Sequence, residues 1–281
     1  MRKSLSSLFA VAAAGTLMVT SLSAAAEGRI NMPYVEWDSE VASTNVVRVV
    51  LEEAGYDVRT TSVSAAAMWQ AVASGDQDAM VAAWLPTTHE SYLEQTRDQV
   101  VDLGPNLVGT RIGLVVPAYV EIDSIEELND HADRFDGRIV GIDPGAGIMS
   151  TTETAIDEYG LDLRLVDGSG ATMAAALRDA IRGEEWVVVT GWTPHWKEGR
   201  WDLKYLEDPK GVYGGEEEIH TIVRQGLEED HPTAFAILDK FHWEPEHMAE
   251  VMVMNEEGGD PYENAKKWVE ENRDIVEQWL P

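Results

Sequence analysis

The chain has 281 residues, with 21 Lys and Arg against 51 Asp and Glu for a net charge of -30, and no cysteine. That excess of acid excludes nucleic acid and anionic lipid as partners held by charge, and the missing thiols exclude disulfides, a cysteine nucleophile and a cysteine-linked lipid anchor. The acid is scattered, no run being longer than the EEE at 216–218, which is the pattern of a solvated surface suited to a salty medium rather than of an acidic tail.

Residues 1–26 read as a secretory signal peptide. Arg2 and Lys3 precede an apolar run from Leu8 to Leu22, and the stretch closes on Ala24, Ala25 and Ala26, an Ala-x-Ala cleavage pattern. Gly15, Thr16, Thr20 and Ser21 break the run, which argues against a membrane span. The mature chain is expected to begin at Glu27 and to be free in a periplasm.

From there apolar, strand-like runs alternate with helical periodicity. The first cluster predicts strands at Ile30–Trp37, Tyr56–Ser62, Ala79–Leu85 and Ile112–Val116, with helices at Val41–Ala54 and Ala65–Ala73 between them. The second predicts strands at Ile139–Ile142, Leu163–Val166 and Trp186–Thr190, with helices at Ser124–Asn129, Met149–Tyr159 and Ala171–Ile181. Beyond Tyr213 the pattern predicts helices only, at 216–227, 231–241, 244–254 and 261–279. The class is α/β with largely parallel sheets, in two lobes. Lobe 1 is set at 27–115 and lobe 2 at 116–212, with Pro117 and the segment 207–215 crossing between them and residues 213–281 returning to lobe 1.

The stretch "GIDPGAGIMSTTETA" at 141–155 is a strand, a glycine-rich turn and a helix start. Backbone N–H groups at such a start have no intrahelical acceptor, and the helix dipole favours negative charge there, so Gly145, Gly147, Ile148 and Met149 are candidates to hold a phosphate or a carboxylate. The residue after Gly147 is Ile148 and no lysine lies between Gly141 and Ala155, so the P-loop pattern fails and argues against a nucleotide. Catalytic signatures are also missing: there is no HExxH and no GxSxG, and His242 and His247 lie five residues apart across Pro245, off the helical spacing a metal pair needs. No metal, cofactor or catalytic residue is expected, and His220 and His231 read as surface or capping residues.

Tryptophan is the informative residue. Ten occur, and Trp37 in "YVEWDSE", Trp84 in "AAWLPTTHE" and Trp192 in "TGWTPHW" stand at strand ends amid polar residues, where open α/β sheets bind ligands. Indole faces attract a cation that has no N–H donors, such as a quaternary ammonium. Paired with the anion site at Gly147 and Ile148, such a cage selects a zwitterion with a trimethylammonium at one end and a carboxylate at the other. Whether Trp69, close behind a strand end, joins the cage stays open.

The segments "YVEWDSEVASTNVV", "AAWLPTTH", "DLGPNLVGTRIGLVVP", "GIDPGAGIMS", "VVVTGWTPHW", "LKYLEDPKGVYG" and "EEIHTIVRQGL" closely resemble the glycine betaine-binding proteins of osmoprotectant ABC importers, over nearly all of residues 28–245. The resemblance implies a hinged two-lobed periplasmic binding fold of type II and no enzymatic activity. It also implies an ammonium box of Trp37, Trp84 and Trp192, and a carboxylate held by the backbone of Gly147 and Ile148 with the side chain of His89, a residue that the pattern alone would leave as surface. Its partners would be glycine betaine, proline betaine or dimethylsulfoniopropionate, and a permease driven by a cytoplasmic ATPase; the receptor would be a monomer. The two halves occur in either order in this family, and here the "WDSE" half comes first. Many relatives carry a lipidated cysteine that this chain lacks. A sensory ligand-binding subunit and a secreted enzyme on the same fold are the alternative readings.

Overall fold

A computed structural model describes residues 27–281; the predicted signal peptide lies outside the described residues. In chain order the first elements are β1 (Gly28–Tyr34), α1 (Asp38–Glu53), β2 (Tyr56–Ser62), α2 (Ala65–Ser74), β3 (Ala79–Leu85), α3 (Glu90–Thr96) and β4 (Val100–Pro117). There follow β5 (Arg138–Val140), α4 (Gly147–Tyr159), β6 (Arg164–Val166), α5 (Gly170–Gly183), β7 (Val189–Thr193), α6 (Trp196–Arg200), β8 (Leu203–Tyr205) and β9 (Glu217–Arg224). The chain closes with α7 (Leu227–Asp230), α8 (Pro232–Lys240), α9 (Pro245–Glu257), α10 (Pro261–Glu271) and α11 (Arg273–Val276). Among the described residues no helix is long and apolar enough to cross a membrane.

Local sequence explains many of the boundaries. Ser64 caps α2 by accepting from the Ala67 N–H, and the helix stops at Gly75, whose φ of 79° is left-handed. Ser169 and Thr172 form a reciprocal capping box at the start of α5. Asp260 caps α10 ahead of Pro261. All seven residues of β3 are buried, as expected of a strand covered on both faces.

Two sheets form, a parallel pair β1–β2 and a seven-stranded sheet in the order β3-β9-β4-β7-β5-β6 with β8 also on β4. The pairs β5–β6 and β5–β7 are parallel, while β4 is antiparallel to β7, β8 and β9, and β9 to β3. The sheets are therefore mixed rather than largely parallel. The reason is β4, which spans both halves of the molecule: it pairs with β9 from Val100 to Thr110 and then with β7 from Arg111 to Val115. A chain that leaves one half and returns to it brings strands of opposite direction side by side.

Three expectations fail here. The helix expected at 216–227 is the strand β9, and its burial alternates, with Glu217, Ile219 and Thr221 inside and Glu218 and His220 partly exposed; this is a period of two under an acidic start that imitates a helix N-terminus. β4 begins at Val100 rather than Ile112, because Gly104, Pro105 and Gly109 are absorbed as irregularities of register instead of ending the strand. The helix expected at Ser124–Asn129 is 3₁₀, at Ile125–Glu127 and Asn129–Phe135. The helices after β9 pack on α1 through α8, α9 and α10.

Candidate ligand site

Trp37 follows β1 at the N-cap of α1, Trp84 is next to last in β3 and Trp192 next to last in β7, paired across the sheet with Ile112 of β4. Each is about 5–6% exposed. All three, together with His89, Gly147 and Ile148, line one pocket, whose wall is completed by Ser39, Thr88, Ile112, Ile142 and Ala146. The six residues singled out in the sequence thus come together. Trp69 does not line the pocket; it stands one layer behind, its ring edge-on to His89 at 6.0 Å and stacked with Tyr92.

His89 lies in the turn after β3 and is buried. Its Nδ1 accepts from the Trp84 backbone N–H at 3.1 Å, while its own N–H donates to the Trp84 carbonyl at 2.9 Å. A ring nitrogen that accepts carries no proton, so the proton of the neutral ring belongs to Nε2. Burial pushes the pKa down to about 3, which keeps the ring neutral at ordinary pH and leaves Nε2–H as a fixed donor.

Opposite stands the N-terminus of α4. Ala146 at its N-cap contributes no side-chain cap, so the first amides of the helix keep their donors for a ligand. Gly147 permits this approach. A Cβ there would sit 2.0 Å from the Thr88 carbonyl oxygen and 2.7 Å from Thr88 Cγ2, so a larger residue would drive the two faces of the pocket apart.

Three carboxylates that the sequence reading passed over hold these parts in place. The Trp37 indole Nε1–H donates to Asp143 at 3.2 Å, joining the first cage residue to the glycine-rich turn. The neighbouring Asp38 works in the opposite direction, accepting from the Trp196 Nε1–H at 2.7 Å, with His195 Nε2 3.2 Å from the same carboxylate. Burial raises the Asp38 pKa, but His195, Trp196 and Lys197 outweigh it and hold the carboxyl low. Glu217 is fully buried on β9 and accepts from the N–H groups of Thr87 and Thr88 at 2.7 and 2.8 Å and from the Thr88 hydroxyl, fixing the turn that carries His89. In a chain with 51 acidic residues three more carry no signal of their own; only the alternation of β9 could have marked Glu217. Tyr92 adds a further link by donating from its hydroxyl to the Gly145 carbonyl at 2.7 Å.

No group of three His, Asp or Glu residues able to hold a metal occurs among the described residues. His242 is exposed, and His247 caps α9 by accepting from the Glu244 N–H.

Residues 28–271 match the family described as the substrate binding domain of ABC-type glycine betaine transport systems. A glycine betaine/carnitine transport binding protein of Listeria monocytogenes is 49% identical over 153 residues, 53% of this chain and 51% of that one, so the chain spans about half the length of this relative. The lactococcal glycine betaine-binding protein in its closed-liganded conformation, complexed with glycine betaine, superposes with a TM-score of 0.87 at 43% identity, covering 90% of this chain and 100% of that one. A choline-binding protein of an ABC transporter, in complex with choline, gives a TM-score of 0.83 at 25% identity over 89% of this chain and 91% of that one.

Proposed function

The chain belongs to the family of substrate-binding domains of ABC-type glycine betaine transport systems, and from that premise we propose that it captures glycine betaine, or a methylated zwitterion of the same build such as proline betaine or dimethylsulfoniopropionate, for uptake as an osmoprotectant. It acts as a monomeric receptor in the periplasm and delivers its ligand to a permease driven by a cytoplasmic ATPase. It binds and releases without chemical conversion.

The observation that carries this reading is one pocket holding three indoles, a neutral histidine with a fixed Nε2–H and an uncapped helix N-terminus. The ammonium takes the indole faces of Trp37, Trp84 and Trp192. Each desolvated cation–π contact is worth about 1–2 kcal/mol, so the three give about 3–6 kcal/mol before ordering costs. That energy alone supports weak binding. The carboxylate supplies the rest through charge-assisted hydrogen bonds from the Gly147 and Ile148 amides and from His89. Lobe 1 (27–115) brings Trp37, Trp84 and His89, and lobe 2 (116–212) brings Trp192, Gly147 and Ile148.

Calorimetric titration with glycine betaine, proline betaine, dimethylsulfoniopropionate, carnitine and choline tests the reading. Glycine betaine or one of the first three is expected to bind most tightly and to raise the unfolding temperature, and to be recovered unchanged. Tightest binding of choline, or turnover of the ligand, would reject it.

A further inference from the structure

Behind the cage lies a buried cation that the binding scheme does not use. Lys197, in α6, is 2% exposed. Its Nζ lies 4.6 Å from the centroid of the Trp192 ring and donates to the Met173 sulfur at 3.5 Å. Trp192 is a wall shared by two cavities: it lines the ligand pocket, and it also lines a second cavity bordered by Lys197, Arg111, Glu198 and Lys204, while Lys197 borders only the second. The lysine therefore approaches the indole from the side away from the cage. Among the described residues no protein cation sits over Trp37 or Trp84.

We propose that Lys197 is a specificity-determining residue acting through Trp192, a positive charge on the outer face of one cage wall that disfavours a bare cation in the pocket relative to a zwitterion. The proposal rests on the reading of the pocket as a betaine site. A ligand ammonium on the inner face and the Lys197 ammonium on the outer face would stand about 9 Å apart, each roughly 4.5 Å from the ring as such contacts require. At an effective dielectric near 20, two like charges at that distance shift an equilibrium by on the order of twentyfold. A zwitterion escapes most of this, because its carboxylate lies a few ångströms further on and feels the same lysine with opposite sign. Choline has no such compensation.

The effect depends on protonation, and its sign follows from the surroundings. Burial pushes Lys197 down to about 7, against the opposing pull of Asp38 from α1 and of Glu198 on its own helix. The ammonium is thus present below pH 7 and is lost above it. The histidines nearest the cage, His89 and His195, are both pushed down to about 3 by burial, His195 also by Lys197 itself, so neither changes charge between pH 6 and 9.

Titration of the unmutated protein with glycine betaine and with choline at pH 6 and pH 9, repeated on Lys197→Met, tests the proposal. In the unmutated protein the preference for betaine over choline should shrink about tenfold from pH 6 to pH 9. Lys197→Met, an unbranched side chain one atom shorter and without the charge, should show the smaller preference at both pH values. A preference unchanged with pH in the unmutated protein overturns the proposal, and needs no variant to fold. A pH dependence that survives in Lys197→Met overturns it as well. If betaine binds the unmutated protein at neither pH, the betaine reading fails and takes this inference with it, whereas tight betaine binding with a constant ratio overturns the inference alone.

Discussion

Each group assigned to the ligand should make a separable contribution. Replacing Trp84 or Trp192 by Ala removes one indole face and should weaken betaine binding by about 1–3 kcal/mol, while Phe at either position keeps a π-face and more of the affinity. Trp268 serves as the control, because it is buried among Trp243, Trp279 and His247 and does not line the pocket. Trp268→Phe should lower the unfolding temperature and leave betaine affinity nearly unchanged, and equal losses at Trp268 and Trp84 by calorimetry would contradict the cage. At the other end of the ligand, choline offers a hydroxyl where betaine offers a carboxylate, leaving the α4 amides and His89 Nε2–H without a charged acceptor. Two or three such bonds at about 1.5 kcal/mol each predict a discrimination of roughly 10²–10³ at neutral pH, less where water fills the gap. His89→Ala should narrow that ratio by weakening betaine more than choline; an unchanged ratio would remove His89 from the carboxylate site. The three tryptophans that share the pocket were legible in the sequence because a large aromatic at a strand end amid polar residues is out of place in a core. His89 was not, since its role depends on a backbone bond to Trp84 five residues earlier, and it entered only through the family resemblance.

Elements were legible where one physical signal dominated. β2 and β3 fall on their expected limits, Tyr56–Ser62 and Ala79–Leu85, because β-branched or apolar runs are bounded there by turn residues. β4 and β9 were not legible, the first because its glycines and proline read as punctuation, the second because paired glutamates read as a helix start. Both are settled by pairing at long range, which local periodicity does not contain. The buried carboxylate of β9 carries a prediction of its own. Glu217→Met keeps most of the size of the side chain but removes both acceptor oxygens, the Oε1 that takes the Thr87 and Thr88 N–H groups and the Oε2 that takes the Thr88 hydroxyl. An unmet buried donor costs about 1–3 kcal/mol, so thermal unfolding should occur at lower temperature. Betaine affinity should fall with it, because the loosened turn carries His89. Wild-type affinity at the lower unfolding temperature would show that the turn does not position the histidine.

At the scale of the whole molecule, binding should be a closure of the two lobes about β4. Trp37–Asp143, Asp38–Trp196 and Tyr92–Gly145 each join a residue N-terminal to the crossing with one beyond it, so these bonds should form only when the lobes meet. Gly147 at the contact leaves no room for a Cβ against Thr88. Gly147→Ala should therefore hold the lobes apart: solution scattering should show saturating betaine compacting the unmutated protein, with the variant failing to compact and binding weakly. Identical scattering of the unmutated protein with and without ligand would rule out closure.

Charge at the same scale predicts how salt acts. With a net charge of -30 the molecule sets up a long-range field that draws cations in and that salt screens over about 10 Å at 0.1 M. Betaine carries no net charge, so this field exerts almost no net pull on it, and its contacts are made inside a closed pocket where salt screens little. Its affinity should change by no more than about threefold between 0.05 and 1 M sodium chloride. Choline supplies the internal comparison, since it presents the same trimethylammonium without the carboxylate. Part of its attraction is to the field as a whole, and its weaker binding should decline further over the same range. A receptor in a salty medium needs this insensitivity, because the solute it gathers is wanted most when the salt is highest. Titrations of both ligands across the salt series decide the matter: a steep loss of betaine affinity, parallel to that of choline, would mean that the protein recognises a net positive charge, and the carboxylate anchor at Gly147, Ile148 and His89 would have to be given up.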